Sequence, residues 1–183
     1  MTTKFLYSSL IALIILSSCN EKEDPVVTTT IDVSKQWSID ISGVAIPPLF
    51  DGQWQTKTFT SQELSLFNSL DTANLNGTTT PQSVIDTPPG YNATFPNPFT
   101  TTYALALRFN AGFAGQIVLK AVVVDSTMTS YFKVATRLNV QNAFTALAFN
   151  PTIPVGKFRF YYTLSSLANP HFFKSWGNIQ KTL

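Results

Sequence analysis

The chain has 183 residues, with 12 Lys or Arg against 10 Asp or Glu and a net charge of +2. Charged residues are only 12% of it, which excludes a solvated polyelectrolyte and a basic nucleic-acid surface. One cysteine and one histidine exclude a disulfide framework and a zinc site built from Cys and His.

In chain order, the first element is an apolar run from Phe5 to Leu16 behind Lys4. It is too short to span a bilayer, which takes ~20 residues, and has the length of a signal-peptide core. It closes on Leu16-Ser17-Ser18-Cys19. That pattern resembles the lipobox of bacterial lipoproteins. The resemblance implies that residues 1–18 are a cleaved signal peptide and that Cys19 carries acyl chains on its sulfur and its new amino group. Two or three chains on one residue anchor firmly, since each buried methylene adds ~0.8 kcal/mol. The membrane is then the first partner, through Cys19, and the only thiol is spent on the anchor.

Residues 19–30 contain Glu21-Lys22-Glu23-Asp24 and then a Thr-rich stretch, the composition of a solvated tether. An acidic run just after the lipidated cysteine resembles the surface-export signal of Bacteroidota-type lipoproteins. It implies an address on the outer face of the outer membrane. Asp71-Thr72-Ala73 and Asp125-Ser126-Thr127 fit the O-glycosylation pattern of that group, with Thr72 and Ser126 as acceptors. Asn76-Gly77-Thr78 and Asn92-Ala93-Thr94 match the N-glycosylation sequon but read here as turn chemistry.

Residues 31–183 make one domain. Ile31, Val33, Trp37, Ile39 and Ile41 share odd positions, which predicts a half-buried strand ending at Gly43. Gln53 to Thr60 is extended around Trp54 and Phe59. Thr60 and Glu63 fit a capping box, so a short helix is expected at 61–70. Residues 71–102, rich in Thr, Asn, Pro and Gly, read as a long surface excursion. Tyr103, Leu105, Leu107 and Phe109 then alternate with smaller or polar residues. Ile117 to Val124 is apolar except for Lys120, the signature of a central strand. Further strands are expected at Ser130–Thr136, Leu138–Ala148, Phe158–Leu164 and around Trp176–Lys181, the best-defined set lying within 103–183. Short strands split by Gly and Pro turns predict a mainly β fold, an antiparallel immunoglobulin-like β-sandwich with at most one short helix.

Two stretches resemble known groups. Phe95-Pro96-Asn97-Pro98-Phe99 is similar to the opening of the C-terminal sorting domain of the type IX secretion system. The chain lacks that domain's closing strands, and its lipobox already supplies an export route. The second stretch is Gly156-Lys157-Phe158-Arg159-Phe160-Tyr161-Tyr162 together with His171 to Ile179. It resembles the closing segment of small Bacteroidota-type lipoproteins of unassigned activity, and so implies location and fold but no catalytic residue.

For catalysis the sequence offers little. His171 stands in an aromatic turn, no Gly-x-Ser-x-Gly elbow occurs, and the acids are scattered. No P-loop, calcium loop or zinc spacing appears, so no cofactor and no metal are expected. Aromatic rings suit recognition better, because exposed rings stack on sugars or anchor proteins. Trp54, Tyr91 and Trp176 are the expected exposed rings, while Trp37 is assigned to the core. The expected function is a non-catalytic surface module that binds a glycan or serves an outer-membrane complex. The alternatives are an assembly lipoprotein docked permanently on such a complex and, behind it, a hydrolase.

Overall fold

A computed structural model describes residues 29–70, 84, 92–110, 115–141, 143–166 and 172–183. The expected signal peptide, Cys19 and the expected tether up to residue 28 lie outside these, as do Thr72, Tyr91 and His171. Among the described residues no helix is long and apolar enough to cross a membrane.

The elements are β1 (Ser38–Ile39), β2 (Ala45–Ile46), α1 (Ser61–Ser65), β3 (Thr94–Phe95), β4 (Tyr103–Arg108), β5 (Gly115–Val124), β6 (Ser130–Val140), β7 (Phe144–Phe149), β8 (Gly156–Ser165) and β9 (Phe173–Lys181). They form a three-stranded sheet β3-β4-β7, a four-stranded sheet β6-β5-β8-β9 and the small hairpin β1-β2. Every neighbouring pair is antiparallel. The two larger sheets face each other across one core, so the fold is an antiparallel β-sandwich. Tyr103 of β4 meets Phe160 of β8 edge-on at 5.8 Å, and Phe132 of β6 meets Phe149 of β7 at 6.0 Å.

Alternation explains which face each strand turns inward. Tyr103, Leu105 and Leu107 of β4 and Ile117, Leu119, Ala121 and Val123 of β5 all enter the main core. Phe158, Phe160, Tyr162 and Leu164 of β8 join them. Strand β8 is buried on its other face as well. Tyr161 lies under Phe59 and Phe67, with Val122 and Val124 of β5 beside it. The segment containing α1 therefore lies over the outer face of the four-stranded sheet. This is why β5 is apolar at nearly every position: both of its faces are covered.

Helix α1 forms as the capping box predicts. The Thr60 hydroxyl accepts from Glu63 N at 3.2 Å, and the Glu63 carboxylate accepts from Thr60 N at 2.8 Å. Phe67 is buried beyond its end, with Leu66 and Leu70 packed beside it, but Leu64 is exposed, because the helix stops at Ser65.

The strand expected at 31–43 shortens to Ser38–Ile39. Asp40 ends it, since its Oδ1 accepts from Ser42 N and Val44 N at 2.9 Å each and Gly43 turns at φ 80. Ile41 is consequently 75% exposed. The break expected near Arg137 falls later, at 141–143, so β6 runs through Val140 and β7 begins at Phe144. Residues 92–99 do not belong to a surface excursion. Ala93, Thr94, Asn97 and Phe99 are buried, and Asn97 bridges Ile39.

Trp54, expected as an exposed ring, is only 3% exposed. Its backbone sits in the left-handed region at φ 59, which aims the ring over Gly177 of β9. A Cβ on Gly177 would fall 1.9 Å from the Trp54 ring, so only glycine fits there. Burying an indole contributes about 4–6 kcal/mol at ~25 cal/mol/Å². Gly177→Ala is expected to lower stability by about 3 kcal/mol in denaturant titration, as a clash that must displace the ring. In a Trp54→Ala background the same change is expected to cost under about 1 kcal/mol, and that coupling identifies the contact.

Candidate functional site

The described polar groups converge where residues 31–36 cross strands β8 and β9. Arg159 of β8 lies on the outer face, paired across the ladder with Asn178 of β9. Its Nε donates to Asn178 Oδ1 at 2.9 Å, and a terminal nitrogen donates to the Asp32 carbonyl. Asn178 in turn donates through Nδ2 to the carbonyls of Asp32 at 3.1 Å and Lys35 at 2.7 Å. The Asn178 backbone N–H reaches Gln53 Oε1 at 2.9 Å, and Gln53 Nε2 donates back to the Lys35 carbonyl at 3.0 Å. Side-chain amides here replace the ladder bonds that a strand over 31–36 would make. They hold residues 32–35 firmly to the sandwich.

Trp176 is half-buried, and the Arg159 guanidinium carbon lies 3.9 Å from the centre of its ring. Such a stack contributes up to about 2 kcal/mol when desolvated, and it occupies the ring face that a sugar would need. Trp176 thus works as a platform for Arg159. Of the rings expected to be exposed, Trp54 is core, Trp176 carries an internal cation, and Tyr91 lies outside the described residues. The described residues bring no two of them together as an open platform.

Tyr161 completes the cluster. Its hydroxyl donates to Glu63 Oε1 at 2.9 Å, tying α1 to β8. Burial pushes its pKa up to about 12, and burial likewise raises that of Tyr103 in the core. Among the other acids, Asp32, Asp40 and Asp125 each accept backbone N–H bonds in tight turns. Hydrogen bonds from Ser34 hold the Asp32 carboxyl below its ordinary value. These carboxylates are occupied in shaping loops, and no pair of them is set up for acid–base work. Among the described residues no group of three or more His, Cys, Asp or Glu could hold a metal. Ser126 is exposed in the β5–β6 turn, next to Asp125, and its carbonyl accepts from Ile31 N at 2.8 Å.

Sequence reasoning passed over Arg159, Asn178 and Gln53 as a unit. The available signal was a lone arginine out of phase with Phe158, Phe160 and Tyr162, where an uncompensated charge needs internal partners.

Besides Tyr131 and Phe144, the outward surface offers a run of aliphatic groups. Ile41, Val44, Ile46 and Leu49 are exposed at 75%, 58%, 49% and 37%. They lie on and just after the β1-β2 hairpin, whose turn is fixed by the Asp40 carboxylate. No charged residue interrupts the stretch between Asp40 and Asp51.

No family model and no curated protein matches the chain. A solved structure, a glycosyl hydrolase family 2 member from Bacteroides cellulosilyticus DSM 14838, resembles part of it with a TM-score of 0.37 and 9% identity. The likeness covers 49% of this chain and 14% of that one.

Two outcomes follow from the clasp. Arg159→Leu is expected to cost about 2–4 kcal/mol, because Asn178 Oδ1 and the Asp32 carbonyl lose a buried donor. Limited proteolysis should then cut within 31–36 faster than in the wild type. Ionisation of Tyr161 is favoured less in the folded state than in the unfolded chain, whose tyrosine pKa is ~10. Its stabilising contribution is complete below that pH and is lost as pH rises from ~10 through about 12. Tyrosinate absorbance should therefore show a late-titrating class that Tyr161→Phe diminishes.

Proposed function

We propose that the chain is a cell-envelope lipoprotein, anchored through Cys19, whose sandwich is a non-catalytic accessory module docking on a protein partner in the outer membrane. The anchor rests on Leu16-Ser17-Ser18-Cys19 and the surface address on the acidic run after it. The observation that carries the docking role is the exposed aliphatic hairpin Ile41–Leu49. Branched aliphatic side chains have no face that stacks on a sugar, but they fill pockets on a protein surface. Of the rings that would favour a glycan, Trp54 is buried and Trp176 is already stacked on Arg159.

The strand order supports an immunoglobulin-like reading of the sandwich. Counting β3 to β9 as seven consecutive strands, one sheet holds the first, second and fifth, and the other holds the fourth, third, sixth and seventh. That is a Greek-key arrangement of two antiparallel sheets. In such folds function sits in loops and edges, which suits a hairpin carried outside both sheets.

A pulldown from native membranes in mild detergent, read by mass spectrometry, is expected to recover one fixed outer-membrane protein. The Ile41→Ser/Val44→Ser double variant should lose it while unfolding at the same temperature, since both side chains are exposed. Binding to a glycan array by the purified protein, with the partner unaffected by the hairpin changes, would instead establish the glycan reading. Palmitate labelling should be present in the wild type and absent in Cys19→Ala.

A further inference from the structure

The two sheets have four strand edges, and three of them are closed to pairing. Along β9, Trp54 N and Lys57 N bond to the carbonyls of Trp176 and Lys174, and Phe99 N bonds to that of Gln180. Strand β3 is two residues long and leads into Asn97, which bridges Ile39. Strand β6 is long but carries Lys133 and Arg137, both exposed. Two copies of β6 side by side would set like charges against each other.

Strand β7 has none of these devices. Among the described residues it ends its sheet, with β4 on one side and no strand on the other. It reads Phe-Thr-Ala-Leu-Ala-Phe, and no charged residue occurs between Arg137 and Lys157. Ala146 and Ala148 are exposed on its outer face, opposite Ala106 and Ala104 of β4. No charge guards the edge, and beyond Phe144 its outer face carries only alanine, which is the pattern of a strand that pairs.

We infer that β7 is a homotypic edge: a second copy of this chain adds its own β7 antiparallel to it, joining the two three-stranded sheets across a two-fold axis. An antiparallel pair of identical strands is self-complementary, so one contact satisfies both copies. An uncharged edge places no like charges across that axis and offers nothing for a charged partner to read. Because the other three edges are closed, pairing stops at a dimer and does not grow into a fibre. The hairpin at Ile41–Leu49 lies near β3, the far strand of the same sheet, so this edge is independent of the docking surface proposed above.

Light scattering on the full chain, purified from cells in mild detergent and corrected for bound detergent, tests this. Wild type is expected at twice the chain mass. An Ala146→Lys/Ala148→Lys variant should dissociate at least about tenfold more readily, and so should Ala146→Glu/Ala148→Glu. Mixing the two should restore the dimer as a Lys–Glu heterodimer. Hydrogen exchange needs no variant: the amides of Ala146 and Ala148, which face away from β4, should gain protection as wild-type concentration rises, while those of 131–137 should not. A single-mass wild type, a dimer untouched by either variant, or amides of Ala146 and Ala148 protected only when another envelope protein is added would each overturn the inference.

Discussion

The structure depends on how the free edge of β9 is sealed. That strand closes the four-stranded sheet, and an unpaired edge would expose a row of backbone donors and acceptors. Three short pieces of chain cover it without forming a strand. Trp54 N and Lys57 N take the carbonyls of Trp176 and Lys174. Gln53 Oε1 takes Asn178 N, and Asn97 Oδ1 takes Gln180 N at 2.9 Å each. Asn97 Nδ2 also donates to the carbonyls of Trp37 and Asn178. One amide side chain thereby ties the stretch before β1 to the last strand of the fold. Side-chain amides suit this work because each offers a donor and an acceptor in the geometry of a peptide group.

The seal explains the chemistry on both sides of β9. On the core side, the chain that covers the edge brings Trp54 over Gly177, and the missing Cβ lets the indole lie against Phe160 at 6.3 Å. On the outer side, the same approach places the carbonyls of Asp32 and Lys35 within reach of Arg159 and Asn178. A buried guanidinium costs several kcal/mol unless its donors are used. Here carbonyl, amide and indole share it, and Glu63 adds a negative charge through the Tyr161 hydroxyl. A pull on the chain before Ile31 would thus load a network of bonds into β8 and β9 before it reached the hydrophobic core.

Much of the sandwich is legible in the sequence, and the reasons for the failures are physical. Alternation at Tyr103–Phe109 and Phe158–Leu164 identifies inward faces correctly, because those strands make regular ladders on both sides. The capping box at Thr60 and Glu63 is local and survives intact. Alternation misleads at Ile41, because the Asp40 carboxylate forms a turn that period-2 counting does not see. Trp54 misleads for a different reason. Its neighbours Gly52, Gln53 and Gln55 look like a solvated turn, but Gln53 is 2% exposed and acts as an edge cap. Polar sequence signals exposure only when the polar groups have no long-range backbone to bind, and those partners lie about 120 residues away.

That rule also bears on function. A chain with few charges and many Asn, Gln, Thr and aromatic residues invites a binding-site reading of its polar and ring-bearing positions. Several conspicuous polar side chains are instead engaged within the fold: Asn97, Asn178, Gln53 and Arg159 as seals, and Asp32, Asp40 and Asp125 as turn formers. The surfaces proposed for recognition are apolar, the Ile41–Leu49 hairpin at one side of the three-stranded sheet and β7 at the other. Both have rigid backbones, one set by an aspartate turn and the other by its ladder to β4. Rigid aliphatic surfaces lose little conformational entropy on contact, and their affinity comes from shape and area. The proposed lipid anchor would suit such surfaces, since chains confined to one membrane would meet at high effective concentration and need only modest contacts to assemble.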